Sequence, residues 1–317
     1  MPTPPQSKEE ILKTGIIDSQ FEAAWNLHNT LKATLPSIQQ GLHNWKDSTM
    51  ATEHRLPLST GFTSRLIIYH RKPDTHPHPP KRAPVIVLFH GGIHALGYPD
   101  VDVPMARSIA EAYNAVVVLP TTRKAPASPF PSMVHDAYAI VKAIAKELDA
   151  APFPNAPNAS YSSSSRFLPA YASHREGFII GGYSSGANIA DVTAHLARDE
   201  GLKPSLTGLF LSCGAFMDPI RGPPAPYDEL YLSREQNKDA PIANAAFIRN
   251  DIAAGHKGLP RVYFQVCGLD SNRDDELIYE RVLRGECGVE TRVDLYSGFP
   301  HCWWYIYPSL DSAWKAE

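Results

Sequence analysis

The sequence predicts an open, mostly parallel α/β sheet with helices on both faces, and three observations carry that prediction. Apolar runs rich in β-branched residues alternate with stretches of helical periodicity from residue 51 onward. Val85–Phe89 and Val116–Leu119 are continuously apolar, as strands buried on both faces of a parallel sheet must be. The chain has 317 residues, 43% apolar and 20% charged, which is enough for one large domain or a core carrying a smaller cap.

Taken in chain order, the expected strands are Glu53–Pro57, Arg65–Tyr69, Val85–Phe89, Ala115–Leu119, Phe178–Gly181, Leu206–Leu211, Val262–Val266 and Arg292–Leu295, the first pair reading as a hairpin. Helices are expected over Ser132–Leu148, where Val134, Ala137, Tyr138, Val141 and Ile144 recur at three- and four-residue spacings, and over Ser185–Arg198 and Asp274–Arg284. Two regions stand outside the alternation. Residues 1–50 place Phe21, Trp25, His28, Leu31 and Leu35 on one helical face, and residues 216–258 are rich in Pro, Asp and Asn. Both are expected to fold as cap segments over the sheet's C-terminal edge. They interrupt a core of 51–215 and 259–317, within which 150–173, dominated by Pro, Ser, Ala and Asn, reads as a flexible insertion.

A formal charge of −3 leaves no basic footprint for nucleic acid or anionic lipid. No apolar run reaches the roughly eighteen residues of a membrane span, and Met1–Glu10 is polar with no secretory h-region, so a soluble, cytoplasmic protein is expected. Cys213, Cys267, Cys287 and Cys302 show neither C-x-x-C nor zinc spacing, and no histidine pair has helical metal-binding spacing, so no metal is expected. Cys213 and Cys267 fall in strand-like runs and read as buried thiols. Cys302, beside His301, is a candidate reactive thiol of lesser weight.

The chemistry concentrates in four segments. Gly182-Tyr183-Ser184-Ser185-Gly186 lies between a strand and a helix, where a serine on a tight elbow has its hydroxyl pushed outward and the helix N-terminus behind it. His90-Gly91-Gly92-Ile93 follows the Val85–Phe89 strand, and its backbone N–H groups, with that of Ser185, suit a developing oxyanion. Asp270 ends a strand at the sheet edge where ligand sites gather. His301 sits in Ser297-Gly298-Phe299-Pro300-His301, held off a helix by Gly and Pro. These residues suggest Ser184 as nucleophile, His301 as general base and Asp270 as the acid orienting it. Asp274, Asp275 and Glu276 are rival acids, read as a solvated first turn of helix. His90, Tyr183 and Trp303 are candidates for substrate contact, although Trp303-Trp304-Tyr305 reads first as packing for a last helix.

From residue 80 onward the pattern resembles the hormone-sensitive-lipase-like branch of the α/β-hydrolases. His90-Gly91-Gly92-Ile93 is similar to H-G-G-G, Arg123–Pro131 to R-L-A-P-E-H-P-F-P, Gly182–Asn188 to G-D-S-A-G-G-N, Gly268-Leu269-Asp270 with Arg273-Asp274 to G-x-D-P-L-R-D, and Gly298–His301 to the closing histidine loop. The resemblance implies an eight-stranded α/β-hydrolase fold with an N-terminal helical cap, a carboxylic ester substrate and no cofactor. This sequence departs from the pattern at Ile93 for the third glycine, Tyr183 for Asp beside the nucleophile, Ala127-Ser128 for Glu-His, and an Asp270 loop without Pro-Leu. Such changes point to a specialised enzyme.

Three functions are therefore expected in order. The first is acyl-enzyme hydrolysis of a small apolar ester, thioester or lactone, in secondary metabolism. The second is a dehydration, cyclisation or condensation of a polyketide-like substrate on the same fold. The third is a ligand receptor on a hydrolase scaffold, a reading that the retained His301 disfavours.

Overall fold

Strands form where the β-branched runs lie, and their register decides which chemistry meets at one edge. The computed structural model describes residues 7, 10, 48–72, 82–125, 127–128, 131–150, 166–216 and 255–306. Among them β1 (Thr49–Pro57), β2 (Thr63–Arg71), β3 (Val85–Phe89), β4 (Val116–Pro120), β5 (Phe178–Tyr183), β6 (Gly208–Ser212), β7 (Arg261–Cys267) and β8 (Thr291–Tyr296) build one sheet in the order β1-β2-β4-β3-β5-β6-β7-β8. β1 and β2 pair antiparallel, as does β2 with β4. Every other pairing is parallel. Each expected strand is present, with ends shifted by a few residues.

The continuous apolar runs are explained by burial on two faces. Val85, Val87, Phe89, Val116 and Val118 join the larger core with α2 (Ser132–Asp149), α3 (Ser185–Asp199) and α4 (Arg273–Gly285). Leu88, Val117 and Leu119 point the other way, against Met105, Ala106 and Ala110 of α1 (Val103–Tyr113). The sequence reading omitted α1, whose start carries Pro104 and follows a 3-10 turn over Pro99–Asp102. A short last helix, α5 (Trp303–Ile306), closes the described fold.

Most of the expected cap segments 1–50 and 216–258, and most of the expected insertion 150–173, lie outside the described residues, while Thr49 and Met50 belong to β1 of the core. The part of the insertion that is described is packed. Glu147 accepts the N–H groups of Phe167 and Leu168 at 2.9 and 3.1 Å, and Ala172 bridges to Ala83. Among the described residues no helix is long and apolar enough to cross a membrane.

Candidate active site

The turn from β5 into α3 is held in a conformation that only its neighbours can enforce. Ser184 has φ 54° and ψ −127°, a region costing an L-residue on the order of 1–3 kcal/mol. Its N–H donates to Ser212 O at 2.8 Å, fastening the elbow to the end of β6. The chain tolerates this because Gly186 lies against the backbone of Phe89 and His90: a Cβ there would stand 1.9 Å from Phe89 O. The same contact brings the loop after β3 over the N-terminus of α3. Asn188 then ties α3 to the loop after β6, its amide donating to Ala215 O at 2.8 Å.

The loop at 90–97 folds on itself. His90 Nδ1 meets Gly91 O at 2.7 Å, and Gly92 O accepts the N–H groups of Ala95 and Leu96. Gly92 has φ 130°, with Leu96 O 2.3 Å from where a Cβ would be, so glycine is obligatory. Ile93 sits in the left-handed region at φ 57°, the unusual backbone expected of a residue replacing glycine, and is 63% exposed. Among the described residues, no backbone carbonyl takes up the N–H of Gly92, Ile93 or Ser185. Burial lowers the pKa of His90 and brings that of His94 to about 4, so both imidazoles are neutral at ordinary pH.

The acid and base meet across two loops. His301 Nδ1 lies 2.6 Å from Asp270 Oδ2. The loops are zipped by Gly268 N–H to Tyr296 O and Leu269 N–H to Phe299 O, both 2.9 Å. Burial pushes the Asp270 carboxyl up, to about 6, against the pull of His301. Burial acts to lower the His301 pKa, but the hydrogen bond and charge of Asp270 outweigh it and raise the imidazole to about 9. The sequence reading missed Asn272, whose N–H donates to Asp270 Oδ1 at 2.9 Å and whose amide donates to Cys213 O at 3.0 Å. Its position two residues after an aspartate is the available signal.

The rival acids are not the solvated first turn that the sequence suggested. Asp274, Asp275 and Glu276 are all buried. Asp274 pairs with Arg273 at 2.8 Å, and Glu276 accepts the N–H of Gly214 at 3.0 Å. The start of α4 faces the underside of the β6 and β7 loops, and burial drives the Glu276 pKa well up. His195 is likewise fully buried, with its Nε2 2.9 Å from His256 Nδ1.

Of the candidates for substrate contact, His90 is buried in its own loop. The Tyr183 ring presses on Gly91, where a Cβ would be 2.6 Å away. Trp303 is fully buried, stacked on Phe299 at 4.2 Å within a cluster that includes Trp304, Cys213, Cys267 and Cys302. It packs the last turn against the sheet and does not face an open wall. Beneath the 90–97 loop, Asp102 is buried with Tyr305 Oη donating to its Oδ1 at 3.0 Å. Nothing local in the sequence signals this grouping, since Asp102 and Tyr305 are 203 positions apart. Among the described residues, one set has metal-ligand spacing: Cys213, His301 and Cys302, with donor atoms within 4.8 Å of one another.

Comparison with known proteins places this fold. The family model described as "alpha/beta hydrolase fold" matches residues 86–305. An AB hydrolase superfamily protein of Schizosaccharomyces pombe is 28% identical over 246 residues, 71% of this chain and 66% of that protein. Versiconal hemiacetal acetate esterase of Dothistroma septosporum is also 28% identical, over 71% of this chain and 69% of its own length. The match thus spans about two thirds of these relatives. Among solved structures, vibralactone cyclase aligns with TM-score 0.76 and 22% identity over 99% of this chain and 94% of its own, a likeness of fold.

Proposed function

The chain belongs to the α/β-hydrolase family, in its hormone-sensitive-lipase-like branch, and on that premise we propose that it cleaves a small apolar carboxylic ester through an acyl-enzyme on Ser184. The observation that carries this reading is the 2.6 Å contact of His301 with buried Asp270, at the sheet edge where Ser184 occupies its strained elbow. Neutral His301 takes the Ser184 proton as Oγ attacks the ester carbonyl. The resulting oxyanion is stabilised by the N–H groups of Gly92, Ile93 and Ser185, with Gly91 shaping the loop around them. The imidazolium returns its proton to the departing alcohol. Water, deprotonated by the same base, then releases the acid. Asp270 fixes the ring's tautomer and stabilises its cation. Exposed Ile93, Leu96 and Tyr98 border the oxyanion loop and suit an apolar substrate. An acetate esterase among the relatives supports the ester class. The cap role of 1–50 and 216–258 belongs to the same proposal and supplies the selectivity for the acyl and alcohol groups.

A second reading keeps the acyl-serine constellation but ends in cyclisation or dehydration. It is favoured by Ile93, which sets a branched apolar side chain beside the oxyanion donors and disfavours a water nucleophile. One experiment addresses both: turnover of p-nitrophenyl acetate and butyrate in ¹⁸O-labelled water by wild type, Ser184→Ala and His301→Ala. Hydrolysis with one ¹⁸O in the acid, lost by on the order of 10⁴- to 10⁶-fold in both variants, is the expected result. Undiminished turnover in Ser184→Ala would overturn the acyl-serine route. A folded wild type that turns over neither ester would shift the assignment to the second reading.

A further inference from the structure

We propose that Cys213, Cys302 and His301 form a binding site for a thiophilic divalent cation such as Zn²⁺, and that occupancy switches the enzyme off by capturing its general base. The inhibitory consequence rests on His301 being that base; the site itself does not. The three donors come from two loops at the sheet's C-terminal edge, and no C-x-x-C spacing betrays them in the sequence. Their ligand atoms lie within 4.8 Å of one another. In a tetrahedral zinc site two sulfurs stand about 3.8 Å apart, given Zn–S bonds of about 2.3 Å, so closure on an ion needs movements on the order of 1 Å.

The surroundings suit such a site in three respects. Cys213 and Cys302 are buried, and the Cys302 N–H points at Cys213 Sγ from 3.4 Å, a contact that stabilises a thiolate there. Cys267 Sγ lies 3.4 Å behind Cys213 Sγ and offers a further sulfur. The His301 Nδ1 is already engaged by Asp270 at 2.6 Å, leaving Nε2 for a metal; a carboxylate on the far nitrogen is the usual companion of a metal-ligating imidazole. The His301 side chain is 41% exposed, whereas the thiols lie inside, so an ion enters past the imidazole from the substrate side.

The binding step is a simple exchange. Each thiol loses its proton to solvent, two S–Zn bonds form, and neutral His301 donates its Nε2 lone pair; nothing is oxidised or reduced. That lone pair is the one which accepts the Ser184 proton, so metal and catalysis exclude one another.

The test uses the full-length protein carrying Cys287→Ser, which removes the half-exposed fourth thiol. Titration with Cd²⁺ is expected to give a thiolate-to-metal ultraviolet band saturating at one ion per chain, and Cys302→Ala and Cys213→Ser should each weaken binding at least about tenfold. In parallel, Zn²⁺ should inhibit p-nitrophenyl acetate hydrolysis, EDTA should restore it, and Cys302→Ala should hydrolyse the ester while needing at least about tenfold more Zn²⁺ for half-inhibition. An unchanged Cd²⁺ band in both cysteine variants, or equal Zn²⁺ sensitivity of an active Cys302→Ala, would overturn the proposal. A wild type that binds Cd²⁺ as described yet lacks esterase activity would leave the metal site standing and remove only the hydrolase reading.

Discussion

At the residue scale, the mechanism proposed above makes the pair of Asp270 and His301 set the pH at which the chemistry runs. A general base works only in its neutral form, and Asp270 raises the His301 pKa from 6.5 to about 9. Activity should therefore rise with pH through a limb above pH 8, where an unpaired imidazole would already have levelled off near its ordinary value. Asp270→Asn removes the charge that holds the cation. It should shift the limb of kcat/KM to lower pH and reduce the rate on the order of 10³- to 10⁴-fold, through the lost tautomer control. A pH–rate profile of wild type beside this variant is the check. A limb that does not move would mean that Asp270 does not set the His301 proton affinity.

At the scale of elements, three segments meet beneath the 90–97 loop: the start of α1 through Asp102, the end of β5 through Tyr183, and the last turn through Tyr305. The Tyr183 and Tyr305 rings lie 4.6 Å apart, and the Tyr183 ring supports Gly91 from below. Burial raises the Asp102 pKa from 3.8 to about 7, the two tyrosine hydroxyls opposing it. A raised folded-state pKa favours the protonated carboxyl. Its contribution to stability is complete below pH 3.8 and is lost as pH rises through about 7. Asp102→Asn keeps the shape without the charge, so it should gain stability relative to wild type over that window, by on the order of 2–4 kcal/mol. Thermal melts of both proteins from pH 4 to pH 8 measure this; parallel curves would contradict it.

At the scale of the whole molecule, the sheet order explains how segments distant in sequence make one site. β5, β6, β7 and β8 are adjacent and parallel, so the loops that leave them open on one edge. Ser184 follows β5, Cys213 follows β6, Asp270 follows β7 and His301 follows β8. This much was legible in the sequence, because continuous apolar runs such as Val116-Val117-Val118-Leu119 reveal parallel strands and Gly182-Tyr183-Ser184-Ser185-Gly186 straddles a strand–helix boundary. Asp270 and His301 were readable by their places at strand ends. Long-range polar contacts were not. The buried acids of α4, the Asp102–Tyr305 bond and the convergence of Cys213 with Cys302 depend on tertiary packing that no local pattern encodes. Helix α1 was missed although its apolar face, carrying buried Met105, Ala106 and Ala110, is as regular as those of α2 and α3. The central claim is that Ser184 is the nucleophile activated by this edge, and its most direct test is labelling of the intact protein with a fluorophosphonate followed by peptide mass mapping. The account predicts a single adduct on Ser184, absent in Ser184→Ala and strongly slowed in His301→Ala. An adduct on another residue, or none on a folded and ester-hydrolysing protein, would contradict it.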